Sequence, residues 1–384
     1  MKKIILLILL ILPIIVNANQ NEEIENKHIL AKTAKASILM EVSTGKILHE
    51  HNIHEKLAPA SMTKIMTLLL IMEDLKKERI TLEDEVLITP NAASMGGSQV
   101  FLEAGSKIKF EDLIKAIAIA SANDASIAVS EALNGTHETF VARMNDKCKA
   151  IGCKNTNFIN SHGLDAENHY STAYDMALIS RELLKYEKVL EYTNIYEEYL
   201  NKPDGSSTWM VNTNRLIRFY SGLDGLKTGF TSGSGYCLAA TAKRNNMRLI
   251  SVIMKEATPN DRNNSTIELL NYGFGNYKVK TILDTKHDLG QIEIFNGKTK
   301  TASLKLIEAA TNLENISEEK KYTYQVIAKP LKAPVHVGDI VGYLEVYEAG
   351  KLINKFDITV KETVLKANIW DLYKRNLNKI LRGN

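Results

Sequence analysis

The chain has 384 residues, 45% of them apolar and 24% charged, with a formal net charge of +3. With so small a charge, and no basic cluster interleaved with aromatics, nothing points to a nucleic-acid partner. The length exceeds what one hydrophobic core normally serves, so two domains are expected.

Residues 1–18 have the layout of a secretory signal. Lys2 and Lys3 supply a positive start, Ile4 to Val16 an apolar run broken by Pro13, and Val16-Asn17-Ala18 a small-residue cleavage site. The run is too short to span a bilayer comfortably as a mature helix, and an uncleaved N-terminal anchor is the alternative. Ala36 to Val42 and Lys46 to Glu50 read as two strands joined by a tight turn at Gly45. His49, His51 and His54 follow closely, but no other His or Cys stands at ligand spacing, so surface histidines are expected and no metal.

Pro59-Ala60-Ser61-Met62-Thr63-Lys64 leads into the apolar run Ile65 to Met72, and Pro at that point suits a helix start. A helix to about Lys77 sets Ser61 and Lys64 on one face, where an amine can take the proton of a hydroxyl and make it a nucleophile. The spacing alone is weak, since Ser43/Lys46, Ser106/Lys109 and Ser317/Lys320 share it. Ile80 to Phe101 reads as short extended pieces around Gly96-Gly97. Helices are expected over Phe110 to Ser121, from Asn123 past Leu133, over His137 to about Ala150, and over Thr172 to Tyr186, with Ser161 to Asp165 a loop.

Three cysteines give no disulfide framework. A bridge between Cys148 and Cys153, across a helix end, is the less favoured reading, and Cys237 belongs to an apolar run as a buried thiol. Leu226 to Phe230 precedes two strands, Tyr236 to Ala242 and Met247 to Lys255, then a helix over Ser265 to Tyr272, with Gly273-Phe274-Gly275 as a boundary. From about Asn276 to Glu362 short alternating runs replace helical periodicity, which indicates a small all-β domain. In the tail, Leu365, Ile369, Trp370, Leu372, Tyr373, Leu377, Ile380 and Leu381 share one half of a helical wheel. Asp371, Lys374, Arg375, Lys379 and Arg382 lie on or near the other, and Lys366 breaks the apolar arc; the mostly basic pattern suits an in-plane membrane helix, and a helix packed on the β domain is the alternative.

Ser121-Ala122-Asn123 and Lys227-Thr228-Gly229 complete, in order, a set that resembles the penicillin-binding, serine β-lactamase-like enzymes. Pro59 to Lys64, Ser121 to Ala125, His162 to Ala166 and Gly225 to Thr231 are similar to the low-molecular-weight, serine-type D-alanyl-D-alanine carboxypeptidases, and the resemblance covers nearly the whole chain. It implies an α+β fold: an antiparallel sheet with helices on both faces, then a small all-β domain, then a C-terminal amphipathic helix. The corresponding boundaries are a signal at 1–18, the carboxypeptidase domain at 19–275, the all-β domain at 276–362 and an anchoring helix at 363–384.

The resemblance further implies that Ser61 forms the acyl-enzyme, Lys64 is its general base, Ser121 relays a proton to the leaving amine, and Asn123 bonds Lys64 and the substrate amide. Lys227 and Thr228 would meet the terminal carboxylate, Gly229 permits close approach, and the N–H groups of Ser61 and Phe230 form the oxyanion hole. Phe230 stands where the family commonly has His. Arg262 is a weaker carboxylate candidate, and His162 matches a position near the substrate. Peptidoglycan stem peptides are the implied substrate, β-lactams the covalent inhibitors, and the outer face of the cytoplasmic membrane the location, with no cofactor. A D,D-endopeptidase, a weak β-lactamase and a non-catalytic wall-binding protein are the competing readings. No Glu-x-x-Leu-Asn loop of the class A β-lactamases is expected after Asn123, although Glu197 to Asn201 has that spacing.

Overall fold

A computed structural model describes residues 30–371. The signal-like residues 1–18 and the tail beyond Asp371 lie outside the described residues. Among those described, no helix is long and apolar enough to cross a membrane.

Five antiparallel strands form the central sheet, in the spatial order Ile47–His51, Ala36–Glu41, Met247–Glu256, Gly235–Arg244, Leu223–Thr231. Successive side chains point to opposite faces. Ile38, Met40, Ala239, Val252 and Met254 enter one core, while Leu39, Leu238, Ala240, Leu249 and Ile253 enter the other. The first core is closed by the helices Lys64–Lys76, Asn123–Asn134, His137–Ala150 and Ala173–Leu183, and the second by Pro259–Asn276. Covering on both faces explains why these strands read as nearly unbroken apolar runs. Lys64–Lys76 is apolar all round because it is buried all round. Thr136, Thr172 and Thr258 cap three of the helices, each side chain accepting a backbone N–H from the first turn.

Two readings are corrected here. Cys148 and Cys153 are joined as a disulfide, with Cα atoms 5.3 Å apart. Gly152, at φ +93°, turns the chain back after the helix so that the Cys153 N–H reaches the Cys148 carbonyl at 3.0 Å. Gly273-Phe274-Gly275 does not interrupt its helix, which runs on to Asn276. A Cβ on Gly273 would sit 2.5 Å from Leu249 Cδ1 and 3.0 Å from Leu39 Cδ2, so this glycine lets helix and sheet approach.

From Tyr277 to Val360 the chain is built of β-strands. A two-stranded pair, Tyr277–Leu283 with Ala310–Asn315, shares a core with a six-stranded sheet. That sheet runs Tyr322–Ala328, Gly342–Glu348, Lys351–Val360, Thr301–Leu306, Gln291–Phe295, Leu331–Lys332.

Candidate active site

Pro59 caps a short 3-10 turn, Ala60–Thr63, that passes directly into the buried helix from Lys64. In a 3-10 turn residues three apart eclipse, and Lys64 Nζ accordingly lies 3.1 Å from Ser61 Oγ. Ala60 holds a left-handed φ of 48°, a strained conformation immediately before the reactive position.

Lys64 is wholly buried and has two further neighbours, Asn123 Oδ1 at 2.7 Å and the His162 carbonyl oxygen at 2.6 Å. The Asn123 amide is oriented by its other end, since Nδ2 donates to the Gly96 carbonyl at 2.8 Å. Two of the three neighbours of Lys64 can therefore only accept. A neutral amine has two N–H bonds and one lone pair; with both N–H groups given to these oxygens, the lone pair is left for the Ser61 hydroxyl proton. Burial first, and the Lys227 charge second, hold the Lys64 pKa well below its ordinary value, with Asp124 opposing.

Ser121 ends a π-helical turn, Ala116–Ala120, and takes a left-handed φ of 61°. The turn breaks the helix so that Asn123 can restart it with its side chain on Lys64. Asp124, fully buried, fixes this junction by accepting N–H groups from Val100 and Leu102.

Lys227, Thr228 and Gly229 lie on Leu223–Thr231, the edge strand of the sheet. A Cβ on Gly229 would fall 2.8 Å from the Pro59 carbonyl and 3.2 Å from Ser61 N, which shows how tightly strand and nucleophile turn abut. Lys227 is buried, and its pKa is pushed down to about 7 by burial and by the Arg262 charge. Arg262 stands in the first turn of Pro259–Asn276, buried, with its guanidinium on Asn263 Oδ1 at 2.8 Å. Arg262 is thus a buried helix residue and not a solvated loop one. Among the described residues neither cation has a carboxylate within ion-pairing distance, so this pocket wants an anion.

The remaining positions are distributed as follows. Phe230 is exposed and stacks on Tyr236, centroids 4.3 Å apart. His162 contributes its carbonyl to Lys64; its ring, held near pKa 3 chiefly by burial, accepts the Leu164 N–H at 3.2 Å. The sequence offered no motif for Thr213, whose Oγ1 lies 2.6 Å from Thr228 Oγ1 and 3.3 Å from Lys227 Nζ. Buried Asn212 and Asn214 on either side fix its backbone: Asn212 Nδ2 donates to the Ile195 carbonyl and Asn214 Nδ2 to that of Gly225. Between them Thr213 is exposed, at the lip of the cationic pocket. The histidines near the first hairpin separate, His49 facing Ser37, His51 facing Asn52 and His54 packing on Tyr174. No group of three potential metal ligands occurs among the described residues.

A family profile described as D-alanyl-D-alanine carboxypeptidase (peptidase S11) matches residues 20–258, and one described as the C-terminal domain of penicillin-binding protein 5 matches 277–366. The chain is 42% identical over 350 residues to the D-alanyl-D-alanine carboxypeptidase DacF of Bacillus subtilis, covering 91% of this chain and 90% of that one. It is 34% identical to DacC of Escherichia coli, covering 88% and 87%. Among solved structures it is similar to penicillin-binding protein 5 of Haemophilus influenzae, with a TM-score of 0.70 at 31% identity, covering 87% of this chain and 98% of that one. It also resembles penicillin-binding protein D2 of Listeria monocytogenes, solved in an ampicillin-bound form, with a TM-score of 0.57 at 29% identity over 63% of this chain and 98% of that one. With the serine–lysine pair, the Asn123 junction and the cationic strand assembled as that resemblance requires, the chain belongs to the S11 family of serine D-alanyl-D-alanine carboxypeptidases.

Proposed function

We infer that this protein is a serine D,D-carboxypeptidase that removes the terminal D-alanine of peptidoglycan stem pentapeptides and is acylated by β-lactams. The observation that carries the residue roles is the set of neighbours of Lys64, two carbonyl-type oxygens and one hydroxyl, in a buried site that favours the neutral amine. Lys64 takes the Ser61 proton as Oγ bonds to the carbonyl carbon between the two D-alanines. The N–H groups of Ser61 and Phe230 hold the oxyanion. The C–N bond then breaks, and the proton on Lys64 passes by way of the Ser121 hydroxyl to the departing amine, releasing D-alanine. Water, deprotonated by Lys64, hydrolyses the ester and returns Ser61. Lys227, Thr228 and Arg262 bind the terminal carboxylate, a reading supported by two buried cations without an acidic partner among the described residues. Asn123 orients both Lys64 and the substrate amide.

The protein acts, in this reading, at the outer face of the cytoplasmic membrane, peripherally bound. Support comes from the signal-like residues 1–18, from the amphipathic pattern of the tail, and from a disulfide of the kind that persists in oxidising compartments. Benzylpenicillin tests the assignment of the nucleophile: intact-mass analysis should give one covalent adduct, mapped by digestion to the peptide carrying Ser61 and absent from Ser61→Ala. An adduct on another serine would overturn it.

A further inference from the structure

The all-β domain carries an apolar and basic surface where the tail departs, and nothing in the catalytic account uses it. Phe295, at the end of strand Gln291–Phe295, is 51% exposed although its strand is otherwise amphipathic, with Ile292 and Ile294 in the core. The turn that follows is fastened to the start of the tail. Gly297 bridges to Lys366, the Lys298 N–H donates to the Leu365 carbonyl at 2.8 Å, and the Ala367 N–H donates to that of Asn296 at 2.8 Å. Leu365, Ile369 and Trp370 are exposed beside that turn, Ile369 at 84%. Asn368 and Asp371 exchange backbone-to-side-chain hydrogen bonds at 3.0 and 2.8 Å, which opens a helical turn at this point.

Four exposed lysines surround these side chains. Lys332 pairs with Phe295 across the parallel ladder, Lys366 pairs with the turn, and Lys298 and Lys300 belong to the turn itself. Glu293, two residues back on the strand, and Asp371, next to Trp370, are acidic neighbours of this area. The sequence beyond the described residues, 372–384, adds four basic and no acidic side chains, with Leu372, Tyr373, Leu377, Ile380 and Leu381 among them. Apolar side chains ringed by lysine, continuous with an amphipathic basic segment, match the interface of an anionic bilayer: acyl carbon for the first and phosphate for the second.

We propose that this edge of the β domain, centred on Phe295, Lys332 and Lys366, is itself a docking surface for an anionic phospholipid membrane. The folded domain then shares the binding with the tail and holds a fixed orientation to the bilayer. The proposal rests on the membrane reading given above, and its test separates the two. The full-length mature chain is mixed with vesicles of phosphatidylcholine alone or with 30% phosphatidylglycerol (about that fraction suffices to set the surface potential), and partition is measured by co-sedimentation. Lys332→Gln with Lys366→Gln should weaken partition onto the anionic vesicles about 25-fold, at about fivefold per lysine. Phe295→Ser should weaken it about tenfold on vesicles of either composition. Benzylpenicillin acylation at the wild-type rate would show that each variant is folded. Wild-type partition by all these variants, together with loss of binding on deleting 372–384, would mean that the tail anchors alone and would overturn the proposal while leaving the membrane reading intact. Failure of the wild-type chain to bind any vesicle would overturn both. Self-association of the wild type without lipid, abolished by Phe295→Ser, would assign the surface to a second copy instead.

Discussion

Lys64 shows how much of this site depends on one residue's neighbours. In the proposed mechanism its amine serves as the base: burial and Lys227 disfavour its charge, and Asn123 and His162 accept from its two donors. The sequence singled out Ser61, Lys64, Ser121, Asn123 and Lys227, since the chemistry proposed for them lies in side chains at fixed short spacings. It could not show His162 as a ligand of Lys64, because the atom used is a backbone oxygen that any residue carries. Thr213 was hidden for a different reason: it meets Thr228 and Lys227 only through a loop between two distant segments. Its Oγ1 accepts from Thr228 and lies near the Lys227 amine, so its own proton is left for a ligand in the pocket. Thr213→Val should therefore raise KM for a carboxylate-terminated peptide about tenfold with little change in kcat, as expected for one lost hydrogen bond to a charged group. Thr213→Ser should restore it. An unchanged KM in steady-state kinetics would remove Thr213 from the carboxylate site.

At the scale of elements, the loop Ser161–Asp165 and the turn Ala60–Thr63 act as one piece. The Ser161 carbonyl accepts from Thr67 Oγ1 at 2.7 Å, and Gly163, at φ +91°, presses on the Ala60 peptide so closely that a Cβ there would overlap the Ala60 carbonyl. Gly163→Ala combines a left-handed penalty with that overlap and should cost about 3 kcal/mol in chemical denaturation, and should slow acylation by benzylpenicillin because the turn must move. Wild-type stability and acylation would show that the loop yields without disturbing Ser61. The principal helices were legible from periodicity, and the first hairpin from its glycine turn. The hairpin Glu197–Asn201 with Ser207–Val211 was not, because exposed Tyr199 and Trp209, paired with each other, stand next in sequence to buried Leu200 and Met210 and blur the alternation. The break between Ser121 and Asn123 was read from the sequence, but the π-helical turn Ala116–Ala120 before it was not. Its residues are good helix formers, and only the requirement to turn Asn123 toward Lys64 explains the π-helical turn.

For the molecule as a whole, burial of histidine beside the nucleophile makes stability depend on acid. His162 is held near pKa 3 and His169 near 4, both mainly by burial, while an unfolded histidine titrates near 6.5. The unfolded chain thus binds protons that the folded one refuses. This contribution to stability is complete above about pH 6.5 and is lost progressively as pH falls through that value toward 4 and 3. The thermal midpoint should drop between pH 6.5 and 4, and His169→Gln should flatten the slope, Gln being able to donate to Thr63 Oγ1 as the His169 Nε2 position does at 2.8 Å. An unaltered slope in His169→Gln would mean that other groups govern the acid limb.

The central claim, carboxypeptidase chemistry at Ser61, is tested most directly by measuring free D-alanine released from a peptide ending in Lys-D-Ala-D-Ala. The wild-type mature protein should release it steadily, and Ser61→Ala should release none while remaining folded. Equal release by the two proteins, or none from folded wild type, would contradict the account.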